Sequence, residues 1–398
     1  MPNALGAALA AAPLLAVLAA PATAAPARPA PAAPAGPAAA PGWPAPGYDA
    51  GGSHYNPDES VLHAGSVRRL APRWRLPLRP GACGTAGPVI GAGLAVTADA
   101  DGIAARRVGD GTPAWRATAA ADRAPTGLVI AGNLLVHTAR RGPCRSDGGA
   151  ADGLVTVYDL GTGARRWSAR DDTATDRVIV DNGHVIVSGD NVNGPTITAY
   201  RITDGRVRWT RDGDADTHRI VSTVVADHTL LVEHRGEFRG LDTATGELRW
   251  GGRDGWFTYL AAAPGGQYYV GDATTWSLSA HAPGGDDPQW SVDAVSDRIA
   301  ADGRRVYLGI GDRLAAYDAR DGRLRWSVPC GGRVGRPLRA GGLVYAPVAG
   351  GPLVVRDAAT GARVAAGSAL AGPLTPVAVA GGRLYARTGT DRVTVFAP

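Results

Sequence analysis

One eleven-residue unit recurs along this chain and limits what it can fold into more than any other feature. Its clearest copy is Ala316-Tyr317-Asp318-Ala319-Arg320-Asp321-Gly322-Arg323-Leu324-Arg325-Trp326. A short strand-forming run, an Asp-Gly pair and a second run ending in tryptophan describe two strands joined by a tight turn. A small or β-branched residue stands ten places before each Trp, and usually a Gly stands four places before it. The copies run from Ala105 to Trp115, Val157 to Trp167, Ala199 to Trp209, Gly240 to Trp250, Ala280 to Trp290 and Ala316 to Trp326. A degraded copy runs from Val355 to Ala365, and Trp74 ends a copy whose beginning is missing.

Successive copies end 36 to 52 residues apart, mostly near forty. Each interval adds two further apolar runs between turn formers, such as Arg177 to Val180 and His184 to Val187. Four short strands per forty residues, repeated, predict the blades of a propeller. The chain ends predict how the ring closes. After Ala365 the runs Leu374 to Val379, Arg383 to Arg387 and Arg392 to Phe396 give three strands, and the segment around Trp74 gives the fourth. The expected fold is all-β: an eight-bladed propeller of four-stranded antiparallel blades, closed by an N-terminal strand joining the C-terminal blade. Closure pairs edges that would otherwise be open to aggregation.

The tryptophans have a structural reading. A Trp covers a large apolar area and carries one N–H donor, so it can pin an outer strand to its neighbour. Trp74, Trp115, Trp167, Trp209, Trp250, Trp290 and Trp326 are assigned to this docking role, with the joint at Ala365 expected to be weakest.

The remaining sequence sets the surroundings. Residues 1–25 are apolar and Ala-rich and end on small residues, the pattern of a signal peptide or, if uncleaved, an anchor. Residues 26–46 are an Ala/Pro-rich linker, and the propeller is expected over 47–398. The segment from Trp43 to Leu62 has turn formers and aromatics without a period and reads as a surface loop. Every cationic side chain other than His is Arg, which excludes Schiff-base and lysine-base chemistry. Arg and Asp alternate without an aromatic-interleaved basic run, so no nucleic-acid partner is expected. Three cysteines, Cys83, Cys144 and Cys330, suit one disulfide and one odd thiol in an exported chain. Cys83 and Cys144 fall on one face of neighbouring blades and are the expected pair.

The unit Ala-x-Asp-x-x-[Thr/Asp]-Gly-x-x-x-Trp, seen at Ala316 to Trp326 and in near form at Gly240 to Trp250, resembles the tryptophan-docking repeat of the PQQ-like β-propellers. That superfamily includes quinoprotein alcohol dehydrogenases and the assembly lipoprotein BamB. Tyr55-Asn56-Pro57-Asp58-Glu59, followed by Leu70 and Trp74, resembles the segment preceding its first blade. The resemblance implies the fold over residues 43–398. It does not fix function, because members with this repeat include proteins that bind no quinone.

Candidate chemistry is sparse. A quinoprotein, as the resemblance implies, would hold PQQ beside calcium. The chain has no adjacent Cys pair and no acidic and amide set that matches such a site. Asp212-Gly213-Asp214-Ala215-Asp216 resembles the start of a calcium loop but has Thr217 and Thr223 where Gly and Glu are needed. No zinc spacing and no G-x-S-x-G occurs. No residue is assigned as catalytic or metal-binding, and no cofactor is expected.

Binding remains. The connections between blades and the loops between second and third strands share one face, which carries Arg140, Arg141, Arg145, Asp214, Asp216 and Trp256. This is the candidate binding face, with Trp256 its anchor; the alternative is that Trp256, Phe257 and Tyr259 pack on a neighbouring blade. The expectation is a monomeric, non-catalytic scaffold at the cell envelope or outside the cell, with a protein partner there. Membrane contact would come only through a retained leader. The alternative is a PQQ-dependent oxidoreductase.

Overall fold

Eight four-stranded sheets make up the described chain. The computed structural model describes residues 42–398 except 82–83, 119–121, 142–151, 191–194, 213–222, 235–236, 255–256, 273, 295 and 366. The first strands of blades 1 to 8 are Ala86–Gly91, Ala124–Ala131, Ala174–Asp181, Thr223–Ala226, Phe257–Ala262, Ile299–Ala301, Leu338–Ala340 and Thr375–Ala380. Each touches the first strand of the next blade, and the eighth touches the first, so these strands form the inner wall of a closed ring. Blade 8 is completed by Ala71–Pro77, which pairs antiparallel with Arg392–Ala397 and sets Trp74 opposite Val395. This is the eight-bladed, all-β ring that the repeat predicts.

Burial follows from a blade's having neighbours on both sides. In blade 6 the second strand, Arg305–Ile310, buries Val306, Tyr307 and Leu308 in succession. A strand covered on both faces reads as a continuous apolar run rather than an alternation. The outer strands, such as Pro113–Ala117, have only exposed and half-buried positions.

The recurrent Gly and Trp meet across blade boundaries. Gly322, in the turn before Trp326, has φ of 70° and donates its N–H to the Asp318 carbonyl at 3.0 Å. A Cβ there would lie 2.8 Å from Cε3 of Trp290 in the preceding blade. The residue must therefore be Gly both for its left-handed backbone and for the ring lying on it. Gly111, Gly163, Gly205, Gly246 and Gly361 meet Trp74, Trp115, Trp167, Trp209 and Trp326 in the same way. The indole N–H then crosses to the next blade: Trp115 to Leu160 O at 2.8 Å, Trp167 to Ile202 O at 2.7 Å, and Trp209 to Thr243 O at 3.1 Å. Trp290 donates to Ala319 O at 2.8 Å and Trp326 to Ala358 O at 3.2 Å.

Two tryptophans differ. The indole nitrogens of Trp74 and Trp250 are buried without a partner. Blade 5 replaces the Asp-Gly turn with Pro283-Gly284-Gly285-Asp286-Asp287-Pro288. Trp250 lies parallel to Tyr268 at 6.0 Å, and Tyr268 stacks on His281 at 4.9 Å. At the degraded copy, blade 7 has three of its usual strands, and an Arg356–Arg363 bridge with the Asp357 N–H to Ala362 O and Val364 N–H to Val355 O bonds stands for the fourth.

The segment before the first blade does not lie on the surface as its aperiodic sequence suggested. It runs around the axis inside the ring. The carbonyls of Trp43 and Pro44 accept the N–H groups of Ile90 in blade 1 and Ile130 in blade 2, at 2.8 and 2.7 Å. Those of Ala50, Gly51, Ser53 and His54 accept Val225, Ala262, Ala301 and Arg339 of blades 4, 5, 6 and 7, at 2.8–2.9 Å. The Asn56 amide then donates to Val379 O of blade 8 at 2.7 Å. Inner-wall strands have one edge without a partner strand, and their N–H groups need acceptors. The segment supplies them, which is why it needs no period of its own. Trp43 is fully buried and Ala45 packs against Val129 and Val136, so the end of the Ala/Pro-rich stretch belongs to the ring and the boundary at residue 46 moves to at least 42.

Candidate functional site

A four-stranded antiparallel blade begins its first strand and ends its second on the same face. On that face the axis opens into a funnel of about 820 Å³. Its wall comes from the starts of first strands, at Gly87–Pro88, Arg298, Arg336 and Thr375–Val377, and the ends of second strands, at Pro347–Gly350 and Arg387–Gly389. Pro46, Gly47 and His54 of the axial segment form its floor.

Four guanidinium groups line this funnel: Arg298, Arg333, Arg336 and Arg387. Arg298 donates to Val334 O at 3.0 Å and pairs with Asp297 at 3.4 Å. Arg336 donates to Asp297 O at 2.6 Å and reaches His54 Nε2 at 3.3 Å. Arg387 donates to the Thr85 hydroxyl at 2.8 Å. Arg333 is exposed and makes no ion pair among the described residues. Partial burial, with Arg177 and Arg298 nearby, lowers the pKa of Arg336, while Asp297 opposes this. Burial lowers that of Arg387. His54 is held down at about 3 by burial and by Arg336, so its ring is neutral, and its Nδ1 has no partner. Among the described residues the lining holds no carboxylate, no carboxamide and no Phe, Tyr or Trp.

A second cavity of about 350 Å³ adjoins the funnel and shares Pro46 with it. It lies between the axial segment and blade 3, walled by Ala45, Asp49, Thr126, Asp176, Arg177 and Val180, among others. Between Pro44 and Ala50 the segment turns on itself, with Tyr48 N–H to Ala45 O at 2.9 Å and His54 N–H to Gly47 O at 2.8 Å. Asp49 closes that turn by accepting the Ser53 amide at 2.9 Å and its hydroxyl at 2.6 Å. Burial raises the pKa of Asp49.

The residues singled out in the sequence divide as follows. Arg140 is buried and pairs with Asp176 at 2.6 Å, so it supports the wall of the second cavity rather than facing solvent. Arg141 pairs with Asp122 and Asp152. Cys83, Cys144, Arg145, Asp214, Asp216 and Trp256 lie outside the described residues, as does the leader. Cys330 is a free thiol whose pKa is raised by burial.

Sequence reasoning missed the funnel arginines, because they meet only through the ring. It also missed Trp276, 69% exposed with φ of 57° in the second-to-third-strand loop of blade 5. Asp272 Oδ1 accepts the N–H groups of Thr274 and Thr275 at 2.7 and 3.2 Å and braces this loop. A Trp outside the docking series, behind an Asp-x-Thr-Thr turn, was the available signal.

The family described as outer membrane protein assembly factor BamB matches residues 151–253 and 274–398, more than half of the chain. The chain belongs to this family. None of the curated proteins matches it. Among solved structures, this BamB-family chain is similar to BamB from Moraxella catarrhalis, with a TM-score of 0.57 at 20% identity over 83% of this chain and 98% of that one. It is also similar to quinohemoprotein alcohol dehydrogenase from Comamonas testosteroni, with a TM-score of 0.64 at 16% identity over 89% and 80%. The computationally designed Ika8 protein gives 0.62 at 17% identity over 81% and 98%. At such identities these likenesses establish the PQQ-like propeller fold that the BamB family shares, and nothing about chemistry.

Proposed function

We propose that this protein is a non-catalytic scaffold outside the cytoplasm that holds an acidic protein partner or ligand at its axial funnel. One observation carries the reading: four guanidinium groups converge on one cavity, and the carboxylate paired with one of them, Asp297 with Arg298, stands outside the lining. Guanidinium groups in a partly desolvated cleft favour carboxylates and phosphates and steer anions toward it. The family description, an outer membrane assembly factor, supports a place in the envelope and a protein partner.

The likeness to a quinohemoprotein dehydrogenase raises a second reading, with PQQ and calcium on the axis. The funnel lining does not fit that pair. Calcium takes six to eight oxygen ligands, largely carboxylates and carbonyls. Among the described residues the lining offers one side-chain oxygen, at Thr375, and no aromatic ring larger than an imidazole to hold a flat quinone. We therefore derive no redox step.

The test is cross-linking in intact producing cells with mass spectrometry, comparing wild type with Arg333→Glu/Arg336→Glu. One recurring acidic partner, lost in the double variant, is the expected result. A monomer without cross-links, together with a melting shift and dye reduction on adding PQQ and calcium, would replace the scaffold reading with the oxidoreductase.

A further inference from the structure

The axial segment meets seven blades and misses one. Main-chain carbonyls of Trp43, Pro44, Ala50, Gly51, Ser53 and His54 accept the inner-wall N–H groups of blades 1, 2, 4, 5, 6 and 7, and Asn56 serves blade 8. Blade 3 receives nothing from the segment among the described residues, because residues 45–49 turn away there. The equivalent donor can be located by register. Ile130, whose N–H meets Pro44, lies opposite Leu135; Val180 lies opposite Val185 in the same relation to its turn. The Val180 N–H therefore points at the axis, into the 350 Å³ cavity whose wall includes Val180 and Arg177.

We propose that this open seat at blade 3 captures the C-terminal carboxylate of an extended acidic peptide, which reaches it through the funnel. The proposal rests on the scaffold reading above and names what the funnel delivers. Six equivalent seats are filled by peptide carbonyls of this same chain, so the seat has the shape and polarity for a peptide oxygen. Arg177 adds a charge that a carbonyl would not need and a carboxylate would. Burial lowers its pKa and Asp176 beside it opposes this, while the Asp176 carboxylate also pairs with Arg140 at 2.6 Å. Asp49, the other acid of the cavity, is capped by Ser53. Arg177 of this cavity and Arg336 of the funnel stand on either side of the shared Pro46, so the path from funnel to seat is cationic at both ends. Backbone N–H groups with a guanidinium are a recurrent means of holding a chain terminus. The cavity admits the last one or two residues, and the wider funnel with Arg298, Arg333 and Arg336 accommodates acidic side chains further back.

The experiment uses the full chain, immobilised, and two pools of five-residue peptides rich in Asp and Glu, identical except that one ends in a free carboxylate and the other in an amide. The free-carboxylate pool should be retained saturably and at least tenfold better than the amide pool, and Arg177→Gln should lose that preference while melting as the wild type does. Equal retention of both pools, or a preference that survives Arg177→Gln, overturns the seat. If Arg333→Gln weakens both pools equally and Arg177→Gln changes nothing, the seat fails while the funnel stands. If the wild type retains neither pool, the seat also fails, and cross-linking in cells decides separately on the scaffold.

Discussion

Glu59 accepts a hydrogen bond from the backbone N–H of Gly382, 323 residues away, at 3.0 Å. Its other oxygen takes the N–H groups of Val61 and Leu62 at 2.8 and 2.9 Å, and the side chain is buried. One carboxylate thus ties the end of the axial segment to the inner hairpin of the last blade. Glu59→Ala strands the Leu62 and Gly382 N–H groups in the interior, at about 1–3 kcal/mol for each buried group left unmet. A fall in melting temperature of several degrees is expected, with Glu59→Gln falling less because its amide oxygen still accepts. Equal melting of Glu59→Ala and wild type would remove Glu59 from this role.

The same junction has no room at Gly341. Its φ is 56°, and an added Cβ would lie 1.7 Å from the Leu62 carbonyl oxygen. That atom is backbone and cannot swing aside. Gly341→Ala should cost at least about 4 kcal/mol, the exceptional end of single substitutions. Gly93→Ala is the control: φ is 75° but the space is open, so only the backbone penalty of about 1–2 kcal/mol applies. Denaturant midpoints that fall equally for both would mean that the segment yields.

Docking tryptophans are expected to differ in what their N–H contributes. Trp115→Phe loses the bond to Leu160 O, worth about 1 kcal/mol, as well as packing. Trp250→Phe loses packing alone and frees a buried donor without a partner. Urea unfolding should rank Trp250→Phe as the milder change, and the reverse order would show that ring volume alone decides.

Acid should weaken the ring through its buried histidines. His137 is buried in blade 2, and burial alone lowers its pKa from 6.5 to about 4. Below the unfolded value the unfolded chain takes up a proton that the folded chain refuses, so stability is lost as pH falls from 6.5 toward 4. The slope approaches about 1.4 kcal/mol per pH unit for one such group. His54 acts in the same sense, down to about 3. Urea midpoints at pH 7 and pH 5 should differ less for His137→Leu than for wild type. An unchanged difference would place the proton uptake elsewhere.

What the sequence revealed and what it hid have separate physical causes. The Gly-to-Trp spacing is local: Gly322 must be Gly and Trp326 must be large whatever lies far away, so the blades could be counted from it. The path of residues 43–56 is not local. Its bonds to the ring wall reach seven different blades, so the segment carries no period, and Asn56 and Glu59 show their partners only once Val379 and Gly382 have been brought round. The funnel is hidden for the same reason, since Arg298, Arg336 and Arg387 come from three blades. Arg140 and Arg141 stand out in the sequence yet are held by Asp176 and by Asp122 and Asp152.

The axial segment also counts. It spends about one or two residues per blade, with a detour at the third, and its last contact falls on the eighth. That spacing fits one perimeter. Seven blades would leave Asn56 with nothing to meet, and nine would stretch it short of the closing hairpin. A repeat protein whose units are nearly interchangeable could in principle gain or lose a unit by recombination. Here a fourteen-residue gauge inside the ring makes any other circumference the wrong size.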